Sequence, residues 1–285
     1  MKHGVRLTIW LSAWLLTGVA FGATPLRIAI VADSGPVREA FVSTIASVPG
    51  AEYVEDTALA ALLLAPGDAA LDVACAAQLP VIGVQVGESA VARLRASGCG
   101  ITALWRHPDP VLQLRVLHAI LPRARRIGFL ASSETRSLVP VLRTEAQTLD
   151  IELVVHEVGK AAELPVRLAE TLAESDVLLA LPDPYLYNAE QARLILMATY
   201  RQGKPLVGPD DHWVRAGALA SAYISAEDVL AEVTNVLALF QRNQTLAADR
   251  YLPASVESNA HVARTFSISL PAPSVLQGAV TETRP

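Results

Sequence analysis

The sequence predicts an α/β protein of two lobes, each a parallel sheet flanked by helices, and three observations lead there. Apolar runs of strand length alternate with stretches of helical period along most of the chain, the pattern of βα units whose crossovers place helices on both faces of a parallel sheet. Residues 176–181, DVLLAL, are apolar without alternation, as expected of a strand buried on both faces. The rhythm breaks at Trp105-Arg106-His107-Pro108-Asp109-Pro110, where two prolines interrupt it before a second αβ series begins. That break is read as the first of the crossings that form a hinge.

The elements follow in order. Lys2 and Arg6 flank a short n-region, 7–19 is almost wholly apolar, and Ala20-Phe21-Gly22 supplies small residues for a signal peptidase. Residues 1–22 are expected to be a cleaved signal peptide, because the apolar run is shorter than the ~20 residues needed to span a bilayer. No cysteine follows that run, so the expected product is a periplasmic protein and not a lipoprotein.

Lobe 1 is expected to comprise 23–105 and 225–255. A strand at 26–31 ends in Ala32-Asp33-Ser34-Gly35, and Pro36 opens a helix with Val37, Ala40, Phe41, Thr44 and Ile45 on one face. Helices are expected at 56–64 and 88–96, and strands at 71–74, 80–86 and 101–104. Cys75 then follows one strand and Cys99 precedes another. Those positions fall at opposite ends of a parallel sheet, beyond the ~7 Å Cα separation a disulfide tolerates, so two separate thiols are expected.

Lobe 2 is expected to span 106–224. A helix at 111–121 leads to a strand at 126–130, and further strands are expected at 151–158, 176–181, 205–208 and 218–223. Asn188 can cap a helix that Gly203 ends. The chain should return to lobe 1 near Tyr223-Ile224-Ser225, so that helix 226–240 covers that lobe. A third crossing and terminal segment is expected at 256–270. Residues 271–285, rich in Pro, Ser, Gly and Thr, are expected to be disordered.

Composition and motifs exclude several functions. The formal charge is −5, and loss of Lys2 and Arg6 makes it more negative, which argues against nucleic acid as a partner. There is no G-x-S-x-G, H-E-x-x-H, P-loop or C-x-x-C, so neither an enzyme nor a cofactor is expected. Carboxylates at helix starts are usually caps, so Asp183, Asp210, Asp211 and His212 are not read as a metal site. Arg106, Arg123, Arg125 and Arg126 are read as solvated surface.

Candidate ligand-binding residues lie at strand exits, where open α/β sheets place their crevice. Asp33 and Ser34 follow the first strand, Gln85 lies near the end of strand 80–86 with Glu88 close behind, and Ser132 and Ser133 follow strand 126–130. Serine hydroxyls and helix-terminal amides suit a carboxylate, while Asp33, Asp183 or Asp210 suits an ammonium. An amino-acid-like zwitterion would satisfy both sets. Trp105, at the crossing, is read as a hinge anchor.

Three segments carry a family resemblance: LLALPDPYLYN, LILMATYRQGKPLVGPDDHWVRAGALASAYIS and the tail SNAHVARTFSISLP. They resemble the ABC-transporter substrate-binding family that includes tryptophan- and tyrosine-type uptake proteins, and the likeness extends upstream to about Leu71. The resemblance implies a periplasmic-binding-protein type 1 fold, an amino-acid-like small-molecule ligand and an ABC permease in the inner membrane as partner. It also implies that the LPDP-x-x-x-N loop borders the ligand, which singles out Asp183, Tyr185, Tyr187 and Asn188. The alternative is a ligand-sensing or accessory module docking on a membrane receptor or outer-membrane transporter.

Overall fold

In the computed structural model, which describes residues 24–281, two parallel sheets form from separate halves of the chain. The expected signal peptide lies outside the described residues. The first half runs β1 (Leu26–Ile30), α1 (Pro36–Ser47), β2 (Ala51–Tyr53), β3 (Leu62–Pro66), α2 (Gly67–Cys75), β4 (Val81–Val86), α3 (Glu88–Ala96) and β5 (Ile101–Trp105). The second half runs α4 (Pro110–Ile120), β6 (Arg126–Ala131), α5 (Val139–Thr148), β7 (Glu152–Glu157), α6 (Leu164–Glu174), β8 (Val177–Leu179), α7 (Ala189–Arg201), β9 (Leu206–Val207), α8 (Asp211–Ala216) and β10 (Ala220–Tyr223). Then come α9 (Ala226–Asn243), β11 (Ser255–Ser258), α10 (Ala260–Thr265) and α11 (Pro273–Thr281).

The first sheet has the order β2-β1-β3-β4-β5 and the second β11-β10-β9-β8-β6-β7. Every pairing is parallel except β10 with β11. Alternate residues of the lobe 1 strands enter two cores. Ile28, Ile30, Leu62 and Leu64 pack against Phe41 of α1 and Val233, Val236 and Leu237 of α9, while Ala29, Leu63 and Ala65 pack with Leu71 of α2 and Val91 of α3. Helix α9 is thus returned to the first sheet, its start fixed by the reciprocal bonds of the Ser225 and Asp228 capping box. Residues 249–251 run beside β5, with Arg250 bonded to Ala103 and Trp105. The chain therefore passes between the sheets near 105–110, 223–226 and 251–254.

Four expectations fail here. Residues 71–74 lie in α2, not in a strand. The strand is β3, whose Leu62, Leu63, Leu64 and Ala65 are fully buried, and the helix expected at 56–64 is only a 3-10 turn, Thr57–Leu59. The third passage precedes 256, because β11 already pairs with β10. The tail is not disordered through Thr281: α11 packs on α4 and buries Leu276 and Val280 in the second lobe's core.

The reassignment of α2 also overturns the expectation of two thiols. A helix following β3 runs back toward the end of the sheet where strands begin, which brings Cys75 to Cys99, just ahead of β5. The two form a disulfide with Cα atoms 5.5 Å apart, closing a loop of sequence separation 24. Replacing both by serine is expected to lower the unfolding free energy by about 3 kcal/mol through the regained entropy of the unfolded chain. Equilibrium denaturation of the double variant checks this, and an unchanged midpoint would refute it.

Candidate functional site

The loops after the parallel strands of both sheets face one another across a cavity of about 480 Å³, within the range of small-ligand sites. Lobe 1 contributes Asp68 from α2 and Gly87, Glu88 and Ser89 from the start of α3. The first passage supplies Trp105, Arg106, His107 and Pro108, and the third supplies Tyr251. From lobe 2 come Ser133, Glu134 and Thr135 after β6, and Leu181, Pro182 and Pro184 after β8.

The lobe 1 wall is organised by one ion pair. Arg106 binds Asp68 through a side-chain bond and donates from Nε to the Gln85 carbonyl at 3.2 Å; Asp68 Oδ1 also accepts from the Gly87 amide at 2.8 Å. Burial pushes the Asp68 carboxyl up, and the Gly87 amide and the Arg106 guanidinium outweigh it, leaving it below the usual carboxylate range. Gln85 has a left-handed φ of 52° at the register shift of β4 against β5, a sparsely populated conformation for a residue with a Cβ. His107 is held below the usual histidine range by desolvation and by Arg106, with Asp210 acting the other way.

The lobe 2 wall is organised by a buried carboxylate. Asp183 is 2% exposed. Its Oδ2 accepts from Ser132 Oγ at 2.7 Å and Thr135 Oγ1 at 3.0 Å, while Oδ1 accepts from the amides of Tyr185 at 2.9 Å and Leu186 at 3.1 Å. Asp183 thus ties the loop after β6 to the loop after β8. Gln113 of α4 ties that helix to the loop after β9 and to β10, donating to the Pro209 and Ala222 carbonyls and accepting from the Ala222 amide.

The residues singled out from sequence are dispersed. Ser133 lines the cavity; Ser132 and Asp183 stand behind its wall. Gln85 touches the site through its carbonyl bond to Arg106. Tyr185 is exposed, its hydroxyl 3.4 Å from the Gly159 carbonyl, and Asn188 caps α7 through the Glu190 and Gln191 amides. Tyr187 is in the core, edge-on to Trp213 with ring centroids 5.6 Å apart. Burial and the Asp183 charge push its phenol well above the ordinary range. Asp33 and Ser34 line a different, lobe 1 groove of about 810 Å³ with Pro66, Ala69 and Val73.

Asp210, Asp211 and His212 lie together, but Asp210 caps α8 through the Trp213 amide and Asp211 pairs with Arg215 at 2.7 Å. Those bonds account for the cluster as a helix start. Arg106, expected from sequence to be solvated surface, lines the cavity, as do Asp68, His107, Glu134, Thr135 and Tyr251, which no sequence pattern singles out. A usable signal existed: each passage between two lobes lies along the cleft, so 105–108 and 251 were candidates by position.

The family description "ABC transporter substrate binding protein" matches residues 64–238, more than half of the chain. The chain belongs to the ABC transporter substrate-binding protein family. That family comprises substrate-binding proteins, not enzymes, and its members bind small molecules and partner ABC permeases.

Solved structures agree on the fold. A ligand-free, open substrate-binding protein with adhesive properties from Clostridium difficile is 15% identical with a TM-score of 0.68, covering 88% of this chain and 97% of its own. A conserved domain protein from Vibrio cholerae is 16% identical with a TM-score of 0.57, covering 92% and 100%. The ABC domain in complex with L-Trp from Streptococcus pneumonia is 17% identical with a TM-score of 0.56, covering 89% and 98%. No curated protein matches. The family member described here thus has the two-lobed periplasmic-binding-protein type 1 fold. Among its described residues no helix is long and apolar enough to cross a membrane.

Proposed function

We propose that the protein is the periplasmic solute-binding component of an ABC-type uptake system, exported by a cleaved signal peptide. It closes its two lobes around a small, amino-acid-like ligand and presents the closed form to an inner-membrane ABC permease. The observation that carries this reading is the 480 Å³ cavity walled by both lobes and crossed by chain passages at 105–108 and 251. A ligand touching both walls binds the closed form better than the open one, and that difference drives hinge closure. The Ser133 hydroxyl and the exposed Glu88 and Glu134 carboxylates offer hydrogen-bonding and charged groups suited to an amino-acid-like solute. The L-Trp bound by the Streptococcus relative supports the same ligand class.

The test is a panel of amino acids, amines, sugars and polyols followed by thermal melting and small-angle scattering. One chemical class should raise the melting temperature, by about 2.7 kcal/mol of added stability at a hundredfold excess over Kd, and reduce the radius of gyration, with the solute recovered unchanged. A cooperative melt that no solute shifts would sink the receptor reading.

One observation favours a second reading, a sensing or accessory module that docks on a membrane receptor or outer-membrane transporter. The β2–β3 connection carries only a 3-10 turn, and beside it the 810 Å³ groove leaves Val37 59% and Val73 64% exposed. Exposed apolar surface of this kind suits a protein contact.

A further inference from the structure

The charge left free in the cleft is negative. Of the charged side chains that line it, Asp68 and Arg106 neutralise each other. Glu88, in the first turn of α3, and Glu134, in the loop after β6, are both exposed and reach the cavity from opposite lobes. Among the described residues neither carboxylate has an ion pair or a side-chain hydrogen bond. The remaining titratable group on that wall, His107, is held below its ordinary range by desolvation and Arg106, so it adds little positive charge near neutrality.

An anionic ligand group finds no unpaired cationic side chain among the described residues lining the cavity and is left with neutral donors such as the Ser133 hydroxyl. The lobe 1 guanidinium is engaged by Asp68, the Gly87 amide at the start of α3 donates to the same carboxylate, and Glu88 occupies the first turn of that helix. A carboxylate placed at this helix start would meet the unpaired Glu88 charge beside the neutralised Asp68–Arg106 pair, which opposes the favourable end of the helix dipole. A cation meets the reverse. Trp105 and Tyr251 from two of the chain passages also line the cavity, and aromatic rings attract ammonium and guanidinium groups through their faces. Glu88 also acts on the Tyr251 phenol: burial, then Asp109 and Glu88, hold it above its usual range. Glu88 and Tyr251 line the same cavity.

Resting on the receptor reading above, we propose that the cleft selects small organic cations, amine- or guanidine-bearing solutes of net positive charge, gripped by Glu88 from one lobe and Glu134 from the other. Closure brings the two walls together. In the empty protein that motion crowds two like charges, and a bound cation converts the repulsion into attraction from both sides. The same pair therefore supplies selectivity and makes closure depend on the ligand.

Calorimetric titration of the protein with putrescine, L-lysine and L-arginine, against L-tryptophan, L-leucine and L-glutamate, tests the proposal. The cations should bind at least tenfold more tightly than the neutral solutes, L-glutamate should not bind, and affinity should fall as sodium chloride is raised. Glu88→Gln and Glu134→Gln should each weaken cation binding about tenfold while melting like the parent, since both side chains are exposed. Binding and compaction with L-tryptophan or L-leucine, unaffected by either substitution, would overturn the cation class and leave the receptor reading standing. No heat and no compaction with any of the six solutes would overturn the cation class, and only silence across the wider panel of amino acids, amines, sugars and polyols would remove the receptor reading as well.

Discussion

Asp183→Ala should cost the protein about 3–5 kcal/mol and abolish ligand binding as a consequence. Four donors converge on this carboxylate, the hydroxyls of Ser132 and Thr135 and the amides of Tyr185 and Leu186, at a site 2% exposed. A methyl group satisfies none of them, and each buried donor left without an acceptor costs roughly 1–3 kcal/mol. Partial relaxation of the loops toward water keeps the total below the simple sum. Because the bonds join the loop after β6 to the loop after β8, their loss frees the wall that presents Ser133, Glu134, Pro182 and Pro184 to the cleft. Asp183→Asn retains the volume and one acceptor oxygen and should fall between parent and alanine. Urea denaturation of the three proteins makes the comparison. An alanine variant as stable as the parent would show that the network contributes nothing, and would return Asp183 to the role of a ligand contact.

This assignment shows where sequence reading reaches its limit. The loop 182–188 was legible because an unbroken apolar strand, Pro-Asp-Pro and an Asn cap follow one another, and local chemistry decides each of them: Asn188 accepts from the Glu190 and Gln191 amides. Which way Asp183 points is decided by Ser132 and Thr135, about fifty residues upstream, and no local pattern encodes that. The misreadings in lobe 1 have a similar origin. LLLAPGDAALDVAC offers two short apolar stretches, and neither is long enough for a period to separate strand from helix. With the strand read at 71–74, Cys75 falls at the wrong end of the sheet, which hides its disulfide with Cys99. In the tail, abundant Pro, Ser and Gly hid the spacing of Leu276 and Val280, whose burial against the second lobe stabilises α11. The cleft residues missed, Arg106, His107 and Tyr251, are polar groups in passages between lobes, where composition alone cannot distinguish a binding wall from solvated surface.

Gly208→Ala should be the most damaging single-methyl change in the second lobe, destabilising it by about 2–5 kcal/mol. Gly208 follows β9 with φ of 89°, and its amide donates to the Ala220 carbonyl at 2.8 Å. A Cβ built there would fall on the carbonyl oxygen of Ala180, a main-chain atom at the exit of β8 that no rotamer change can move. Two costs therefore add: the left-handed backbone, about 1–2 kcal/mol for a residue with a side chain, and the separation of strand ends needed to relieve the overlap, about 1–3 kcal/mol. The displacement would propagate along both chains, on one side to Leu181 and Pro182 in the cleft wall and on the other to Pro209, whose carbonyl accepts from Gln113 at 3.0 Å. Gly203→Ala separates the two costs. Gly203 also has positive φ, 65°, but a Cβ there meets nothing within 4 Å, so that variant should lose only about 1 kcal/mol. Equal losses for the two variants would mean that backbone conformation alone sets the penalty, and that the close approach of Gly208 to Ala180 does not constrain the cleft wall.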